Sequence, residues 1–233
     1  MAARTFPGTC NFYGETFNTR TIVRHLSTCA KRQEFETKLI KNKKAKALSL
    51  YHLYVEGVGV FWKYWLHIEL PAGASLRNLD QFLRDIWLEC CGHLSAFTIN
   101  GQRYSVSPIT DSWFDLHELD MKAKLHDVLR VGAKFGYEYD FGTTTELTLK
   151  VVGARESSRA AGGIQVLARN TPPEYKCQAC GNEPATDICT ECLYGGEEQP
   201  ALFCETCAEE HEHDDMLLPF VNSPRTGECG YTG

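Results

Sequence analysis

Cysteine and histidine pairs near the C-terminus of this chain have the spacing that metal ions require. Three Cys-x-x-Cys pairs precede one His-x-His pair: Cys177 and Cys180, Cys189 and Cys192, Cys204 and Cys207, His211 and His213. A Cys-x-x-Cys turn lets both sulfurs converge on one ion about 2.3 Å away. Eight ligands suffice for two tetrahedral zinc sites. Because such sites are coordinatively full and hold no activated water, we predict two structural zinc ions.

The order of the pairs leaves two ways of sharing the ions. In a cross-brace, which the layout resembles as it occurs in B-box-type modules, the first and third pairs hold one ion and the second and fourth hold the other. In a sequential arrangement neighbouring pairs share an ion. Asp214 or Asp215 could also replace one histidine. In each case metal explains how so short and polar a segment folds, since a structural zinc site contributes on the order of 10 kcal/mol.

An incomplete ligand set lies near the N-terminus. Cys10, His25 and Cys29 are spaced like the ligands of a small zinc finger, but Tyr13 stands where a second early cysteine belongs. A phenol with a pKa near 10 is a poor zinc ligand at neutral pH. The sequence therefore favours a relic finger that packs without an ion. Two zinc ions per chain would indicate an empty front site, and a third ion a working one.

Charge is distributed unevenly between the two ends. Residues 1–46 carry ten Lys/Arg against three Glu, a net charge of +7, whereas residues 171–233 carry two basic against thirteen acidic residues, a net charge of −11. A phosphate backbone would be attracted to the front and repelled by the back. We therefore expect protein contact at the back and nucleic-acid contact at the front, through these residues: Arg20, Arg24, Lys31, Arg32, Lys41, Lys43 and Lys44. The oppositely charged ends could also bind each other between copies.

Apolar periodicity predicts the elements that lie between these ends. Residues 60–70, "VFWKYWLHIEL", alternate in the pattern of a strand, with His67 and Glu69 on its polar side. Residues 75–90 place apolar side chains at helical spacing behind a Ser75 cap, which predicts an amphipathic helix.

Two hairpins follow that helix. Asn100-Gly101 suits a type I′ turn, and the stretch "KFGYEYDFGTTTELTLKVV" reads as two strands joined at Gly142. Four aromatic residues of this stretch are expected to face the helix: Phe135, Tyr137, Tyr139 and Phe141. The pattern predicts an α+β fold, a mostly antiparallel sheet with helices on one face, and a small zinc-stabilised C-terminal module.

The central segment contains three characteristic stretches: "VFWKYWLHIELPAGASLRNLDQFLRDIW", "HLSAFTINGQRY" and "LRVGAKFGYEYDFG". Over residues 47–153 it resembles the plasmid pRiA4b open-reading-frame-three-like family, which is found on plasmids, in transposon passengers and in microbial chromosomes. The resemblance implies an α+β domain and implies no activity, because the family is uncharacterised. Family members commonly continue after "YDFG" with an acidic residue, a Trp and a His, where this chain reads "TTTELTL" from Thr143.

The chain divides into four predicted segments: a basic finger-like front (1–46), the α+β domain (47–153), a linker and strand (154–173) and the cysteine-rich acidic module (174–233). No stretch is apolar and long enough to span a bilayer, and the first residues lack the apolar core of a signal peptide. We therefore expect a cytoplasmic protein without membrane contact. In that reducing compartment cysteine pairs are metal ligands more often than disulfides.

An enzymatic alternative rests on the last hairpin. Glu138, Asp140 and Glu146 share its polar side, and Asp140 is the first candidate for an acid or a metal ligand. A solvated sheet face is the competing interpretation. The remaining cysteines form no nucleophile arrangement with a Ser or His: Cys90 and Cys91 are expected in the core or in a second layer, and Cys229 as a lone thiol of the tail. The sequence as a whole favours a non-enzymatic zinc-binding adaptor over an enzyme or a self-association module.

Overall fold

The computed structural model describes residues 4–39, 47–59, 62–111, 116–157, 163–195 and 201–233. Its strands are β1 Arg4–Thr5, β2 Gly8–Cys10, β3 Thr16–Phe17, β4 Leu48–Val58, β5 Trp62–Pro71, β6 Ser95–Ile99, β7 Gln102–Ser105, β8 Thr110–Asp111, β9 Leu116–His117, β10 Leu119–Asp120, β11 Lys134–Tyr139, β12 Thr145–Ser157, β13 Gln165–Asn170, β14 Asp187–Cys189, β15 Leu202–Phe203 and β16 Leu217–Pro219. Its helices are α1 Thr21–Thr28, α2 Ala30–Leu39, α3 Leu76–Leu83, α4 Leu125–Val128, α5 Thr190–Tyr194 and α6 Glu205–Glu209. Within those ranges no helix combines the length and apolarity that a membrane span needs.

Most strands join one large sheet in the order β10-β7-β6-β11-β12-β4-β5-β13-β2-β3. Its neighbours are antiparallel except for the parallel pair of β7 and β10, and β1 adds a second parallel pair against β5. A three-stranded antiparallel sheet, β15-β14-β16, lies in the C-terminal segment. The mostly antiparallel α+β fold that the sequence predicts is confirmed.

The main core lies between this sheet and α3. Ser75 caps the helix as predicted: its hydroxyl accepts the Asn78 amide at 3.2 Å, and the Asn78 side chain accepts the Ser75 amide at 3.0 Å. Leu79 and Leu83 are fully buried against the aromatic face of β11. Five residues, Arg84–Leu88, continue α3 as a π-helical turn. Truncating such a core leucine to alanine typically costs about 2–5 kcal/mol.

Both predicted hairpins form, with one departure in the second. Asn100 and Gly101 have φ angles of 50° and 81°, as a type I′ turn requires. Asp140 also takes a positive φ, 64°, which ends β11 and breaks the side-chain alternation. Phe141 is therefore 45% exposed, and the prediction that it faces the core is wrong.

The face of the sheet opposite α3 is covered by the N-terminal helices, although the sequence predicts that the polar side of β5 faces solvent. His67 and Glu69 are buried, as is Trp65 beside them. The N-terminal helices α1 and α2 lie over these residues, and Ile22 of α1 packs in one cluster with Trp65. Since β2 pairs with β13, the finger-like front is an edge of the same sheet.

Candidate metal centres

Four thiols from two separate turns converge in the C-terminal module. The Sγ atoms of Cys177, Cys180, Cys204 and Cys207 lie within 4.8 Å of one another. Those of Cys180 and Cys204 are 4.0 Å apart. Four sulfurs held tetrahedrally at about 2.3 Å from a zinc ion would be about 3.8 Å apart. The donor set and its dimensions therefore fit one zinc ion.

The backbone prepares the first of these pairs for metal. The Cys177 carbonyl accepts the Gly181 amide at 2.9 Å, and Gly181 closes the turn with a φ of 72°. Burial would raise the pKa of the Cys177 thiol, but backbone amides including those of Cys180 and Cys204 hydrogen-bond its sulfur and lower the pKa to about 6. At neutral pH this group is mostly thiolate, the form that binds metal. Cys204 precedes α6, so Cys207 returns to the same place one helical turn later.

The second set combines two thiols and two imidazoles. The ligand atoms of Cys189, Cys192, His211 and His213 lie within 4.8 Å of one another. The Cys192 sulfur is 3.4 Å from Nε2 of His211 and 3.5 Å from Nδ1 of His213. Burial and the adjoining Cys189 thiol raise the pKa of Cys192 to about 11. A metal ion bound here would therefore displace a proton from that thiol.

The grouping of the four pairs is that of a cross-brace: the first pair meets the third, and the second meets the fourth. The sequential arrangement is not the one found. Asp214 and Asp215 lie in the 3₁₀ turn after His213, and neither belongs to a ligand group among the described residues. All eleven cysteines are free thiols. The module thus brings together two four-ligand sets with metal-binding geometry and has no disulfide.

The N-terminal segment brings together its three candidate ligands. Ligand atoms of Cys10, His25 and Cys29 lie within 4.8 Å of one another, and both cysteines are buried. Tyr13 is 49% exposed, with its ring centroid 5.7 Å from that of His25. The Phe17 ring stacks on His25 at 4.0 Å. Aromatic packing therefore occupies one side of the histidine.

The turn at Cys10 has the same hydrogen bond as the turn at Cys177. The Cys10 carbonyl accepts the Gly14 amide at 2.8 Å, and Gly14 has a φ of 77°, against 2.9 Å and 72° at Gly181. In both turns the amides two and three residues after the cysteine bond its sulfur. Burial prevails at Cys10 and raises its pKa. Tyr13 thus occupies the position of the second cysteine in a zinc-binding turn.

The basic residues predicted to contact nucleic acid divide into groups. Arg20 and Arg24, at the start of α1 and within it, are exposed. Lys31 is exposed as well and forms an ion pair of 3.2 Å with Glu34. Three of the predicted residues lie outside the described residues: Lys41, Lys43 and Lys44.

Arg32, by contrast, is buried, which corrects the prediction that it contacts phosphate. Its guanidinium donates to Glu69 at 2.6 Å and to Glu36 at 3.0 Å. Arg155 donates twice to Glu69, at 2.6 and 2.7 Å, and also to Glu36. Removing charges from water is costly unless each is paired. The network meets that condition and fastens α2 to the sheet.

A cavity of about 430 Å³ adjoins this network between the N-terminal helices and the sheet. His52, which lines it, lies with Nε2 2.9 Å from Nδ1 of His67. Burial lowers the pKa of His67 to about 3 and, together with the Arg32 charge, that of His52 to about 4. Both imidazoles are neutral at physiological pH, and the neighbouring guanidiniums and carboxylates balance in charge. The cavity therefore presents no net charge to a substrate.

The three carboxylates proposed for acid/base chemistry lie in different surroundings. Glu138 and Glu146 lie directly opposite each other on β11 and β12, and Glu138 pairs with Arg103. Asp140 is buried and accepts a hydrogen bond of 2.8 Å from Arg225. Burial would raise the pKa of Asp140, but Arg225 and two backbone amides hold it below its usual value. A carboxylate whose ionised form is stabilised in this way is a poor proton donor, which argues against Asp140 as the acid of a shared site.

A fourth ligand group was not predicted from the sequence. Ligand atoms of Cys90, Cys91, His93 and Cys229 lie within 4.8 Å of one another. Cys91 is exposed, so the expectation that it lies in the core or a second layer is wrong, and Cys229 contacts His93 rather than standing alone. The local Cys-Cys-x-His spacing of Cys90, Cys91 and His93 could have indicated three of these four ligands. The fourth member lies 136 residues away, where spacing gives no guidance.

The similarity of this chain to known proteins lies chiefly in a family profile over its central part. No curated protein matches the chain. A similar solved structure is the crystal structure of a protein of unknown function, MM3350, from Methanosarcina mazei Go1; the two are 19% identical, with a TM-score of 0.44, over 55% of this chain and 70% of that one. The profile of the plasmid pRiA4b ORF-3-like proteins matches residues 50–199, from β4 to beyond the second cysteine pair. The resemblance seen in the sequence is thereby confirmed, and the chain belongs to the plasmid pRiA4b ORF-3-like protein family.

Proposed function

We propose that this chain is a non-enzymatic, zinc-binding adaptor of a prokaryotic, mobile-element-associated family, and that it binds a protein partner through its C-terminal module. The observation that carries the proposal is the convergence of eight ligand atoms into two complete sets of four. A tetrahedral site filled by four protein ligands leaves no position for a reacting water. The two ions are therefore structural zinc, held in a reducing cytoplasm where the cysteines form no disulfides.

Charge favours a basic protein segment as the partner of the module. Residues 171–233 carry a net charge of −11, and an ion bound by four thiolates adds a local charge of −2. Tyr194 and Met216 are exposed by 57% and 37%, and both line a groove of about 450 Å³ beside Asp215 and Glu228. Apolar side chains within an acidic surface suit a segment that is both basic and apolar.

Zinc content tests the metal part of the proposal. Elemental analysis of the full chain should give at least two zinc ions, and Cys180→Ser and Cys192→Ser should each remove one. His117→Ala changes a histidine outside all four ligand groups and should remove none. A chain purified without chelator that holds no zinc, or that loses none in both cysteine variants, would overturn the proposal.

Binding of a defined probe tests the adaptor part. A short peptide of alternating lysine and leucine should bind the zinc-loaded chain, more weakly at high salt because the contact is partly electrostatic. Tyr194→Ala with Met216→Ala should weaken binding at least tenfold and leave the zinc content unchanged. Equal binding by this variant and the parent chain would exclude the groove as the docking surface.

Nucleic-acid binding by the front is a second candidate, supported by the exposure of Arg20 and Arg24 on the side of α1 away from the buried Ile22 and Leu26. Filter binding of random-sequence duplex DNA in rising salt tests it. Replacing both arginines with alanine should lower the slope of log affinity against log salt by about 2, since each phosphate contact contributes about 0.9. An unchanged slope would remove this candidate.

The control for that assay replaces two basic residues on the α4 side of the domain, Lys122 and Arg130, both exposed. Their substitution should leave the slope unchanged. Light scattering at low and high salt separates the remaining alternative, in which the basic front of one copy binds the acidic module of another. Only that alternative predicts a dimer that dissociates in high salt.

A further inference from the structure

We propose that Cys90, Cys91, His93 and Cys229 bind a zinc ion that bridges the family domain and the C-terminal tail. This site is separate from the two four-ligand sets of the module, and the inference does not rest on them. Cys90, Cys91 and His93 follow the π-helical turn that ends α3, whereas Cys229 belongs to the last residues of the chain.

The geometry of the four ligand atoms fits a single ion. All of them lie within 4.8 Å of one another, and Nε2 of His93 is 3.2 Å from the Cys229 sulfur. In a tetrahedral site of three thiolates and one imidazole, neighbouring sulfur and nitrogen atoms would be about 3.6 Å apart. The contact of His93 with Cys229 would lengthen by about 0.4 Å around such an ion, and the other pairs, all within 4.8 Å, would close by about 1 Å at most. Three sulfurs and one imidazole nitrogen form a donor set that selects zinc over hard cations such as Mg²⁺ or Ca²⁺.

The backbone has a positive φ in each of the two segments that supply the ligands, at Gly92 and at Cys229. Gly92, between Cys91 and His93, has a φ of 73°, and its amide donates to Oε1 of Glu89 at 2.6 Å. Cys229 has a φ of 45°, which is uncommon for a residue other than glycine. Such a conformation costs free energy and persists where surrounding contacts enforce it. Here it accompanies the contact of the Cys229 sulfur with His93.

The tail reaches this position through contacts of its own. Ser223 donates to the Trp87 carbonyl at 2.6 Å, and Arg225, fully buried, donates to Asp140 and to the Thr145 hydroxyl at 2.8 and 3.0 Å. Burial would lower the pKa of the Arg225 guanidinium, but Asp140 and Cys90 lie close enough to raise it. Zinc with three thiolates carries a charge of −1, and Asp140 adds another. The guanidinium places a compensating charge beside both.

The contacts of His93 argue against a nucleophilic site made from the same residues. The Cys229 sulfur lies 3.2 Å and the Asp140 carboxylate 3.5 Å from the imidazole, but both distances are to Nε2. In a catalytic triad the nucleophile and the orienting carboxylate contact different ring nitrogens. A cation at this point would satisfy a thiolate and the nitrogen lone pair together.

Zinc content of the full chain tests the proposal. The double variant Cys91→Ser/Cys229→Ser changes two exposed thiols, so the fold should be retained, and it should contain one zinc ion fewer than the parent chain. His93→Ala should show the same loss, and His117→Ala none. Because the readout is a difference between variants, it is independent of how many ions the other groups hold.

Cobalt substitution gives a second readout. The parent chain should lose one equivalent of tetrahedral Co²⁺ absorption, with its thiolate charge-transfer band, on the double substitution. Equal zinc and cobalt content in the two chains would overturn the proposal. A disulfide between Cys229 and Cys90 or Cys91, found by mass spectrometry in chain purified under reducing conditions, would overturn it as well.

Discussion

Two turns of this chain have nearly the same backbone and differ in their candidate metal ligands, four at Cys177 and three at Cys10. The turn at Cys177 has a second cysteine, and its module packs a small core in which Cys189 and Cys192 are themselves members. The turn at Cys10 has Tyr13 instead and packs with Ile22, Leu26 and Trp65 against the large sheet. Both cores include candidate ligands, Cys10 and Cys29 at the front and Cys189 and Cys192 at the back, but the front core also includes Trp65 of the large sheet. The difference teaches that a turn packed against a large sheet can keep its shape with an incomplete ligand set.

Removal of metal should have the largest effect on stability and should unfold the turn at Cys177 but not the turn at Cys10. A chelator, or Cys204→Ser, should unfold the C-terminal module, since a structural zinc site contributes on the order of 10 kcal/mol. Hydrogen exchange should then rise throughout residues 177–213 and stay slow at residues 8–29. Loss of protection at both turns would break the comparison, because the front would then depend on metal too.

Loss of a buried charge should destabilise the N-terminal front, which contains the turn at Cys10, and leave the C-terminal module unchanged. Glu69→Gln leaves Arg32 and Arg155 without the carboxylate that they share, and breaking a buried ion pair costs about 3–5 kcal/mol. Denaturant unfolding should show this loss, while the zinc content of the module stays unchanged. Glu146→Gln, at an exposed position, is the control and should change stability by less than about 0.5 kcal/mol. A similar effect of both variants would show that the network does not hold the front.

Acid should weaken the sheet beneath the front through His52 and His67. Their folded pKa values, about 4 and about 3, lie below the unfolded value of 6.5. The unfolded chain therefore binds protons first, and stability, complete above pH 6.5, declines as the pH falls toward 4. Each histidine contributes at most about 1.4 kcal/mol per pH unit.

Unfolding measured between pH 6.5 and 5.5 checks this in the parent chain and in His52→Gln, which should reduce the slope. His126→Gln alters an exposed histidine and should leave the slope as it is. An unchanged slope in His52→Gln would mean that the acid response has another source.

Replacing Tyr13 by cysteine, which completes the ligand set of the turn at Cys10, should have the smallest effect on the stability of the metal-free chain. It also tests most directly whether the two turns are equivalent. Tyr13 is half exposed, so Tyr13→Cys without zinc should change stability by no more than about 0.5 kcal/mol. With zinc, the variant should bind one equivalent more than Tyr13→Ser, measured by titration. No gain would show that the similarity of the two turns does not extend to metal binding.

Features set by short-range spacing could be predicted from the sequence. The cap at Ser75, the turn at Asn100 and the pairing of Cys-x-x-Cys residues depend on neighbours a few positions away. Hydrophobic alternation likewise indicated which side of β11 faces α3. Prediction from alternation failed at Phe141. A positive φ at Asp140 ends the alternation there, and such a backbone angle is not expected at a residue other than glycine.

Features set by distant partners could not be predicted. Alternating polar residues give the same pattern whether they face water or a buried ion-pair network, and Arg32 lies 37 residues from Glu69. Cys229 lies 136 residues from His93. Local periodicity carries no information about such pairs, so the covered face and the fourth ligand group became visible only in three dimensions.

Because β2 pairs with β13, the family domain of this chain depends on residues that precede it. The family profile begins at residue 50, yet the cover of Trp65 and one partner of Glu69 come from residues before it. A fragment starting at residue 50 would expose that tryptophan and leave β13 as an open edge, a template for aggregation. The front of this chain therefore cannot be exchanged as an independent unit, because its removal would uncover Trp65 and take Arg32 away from Glu69.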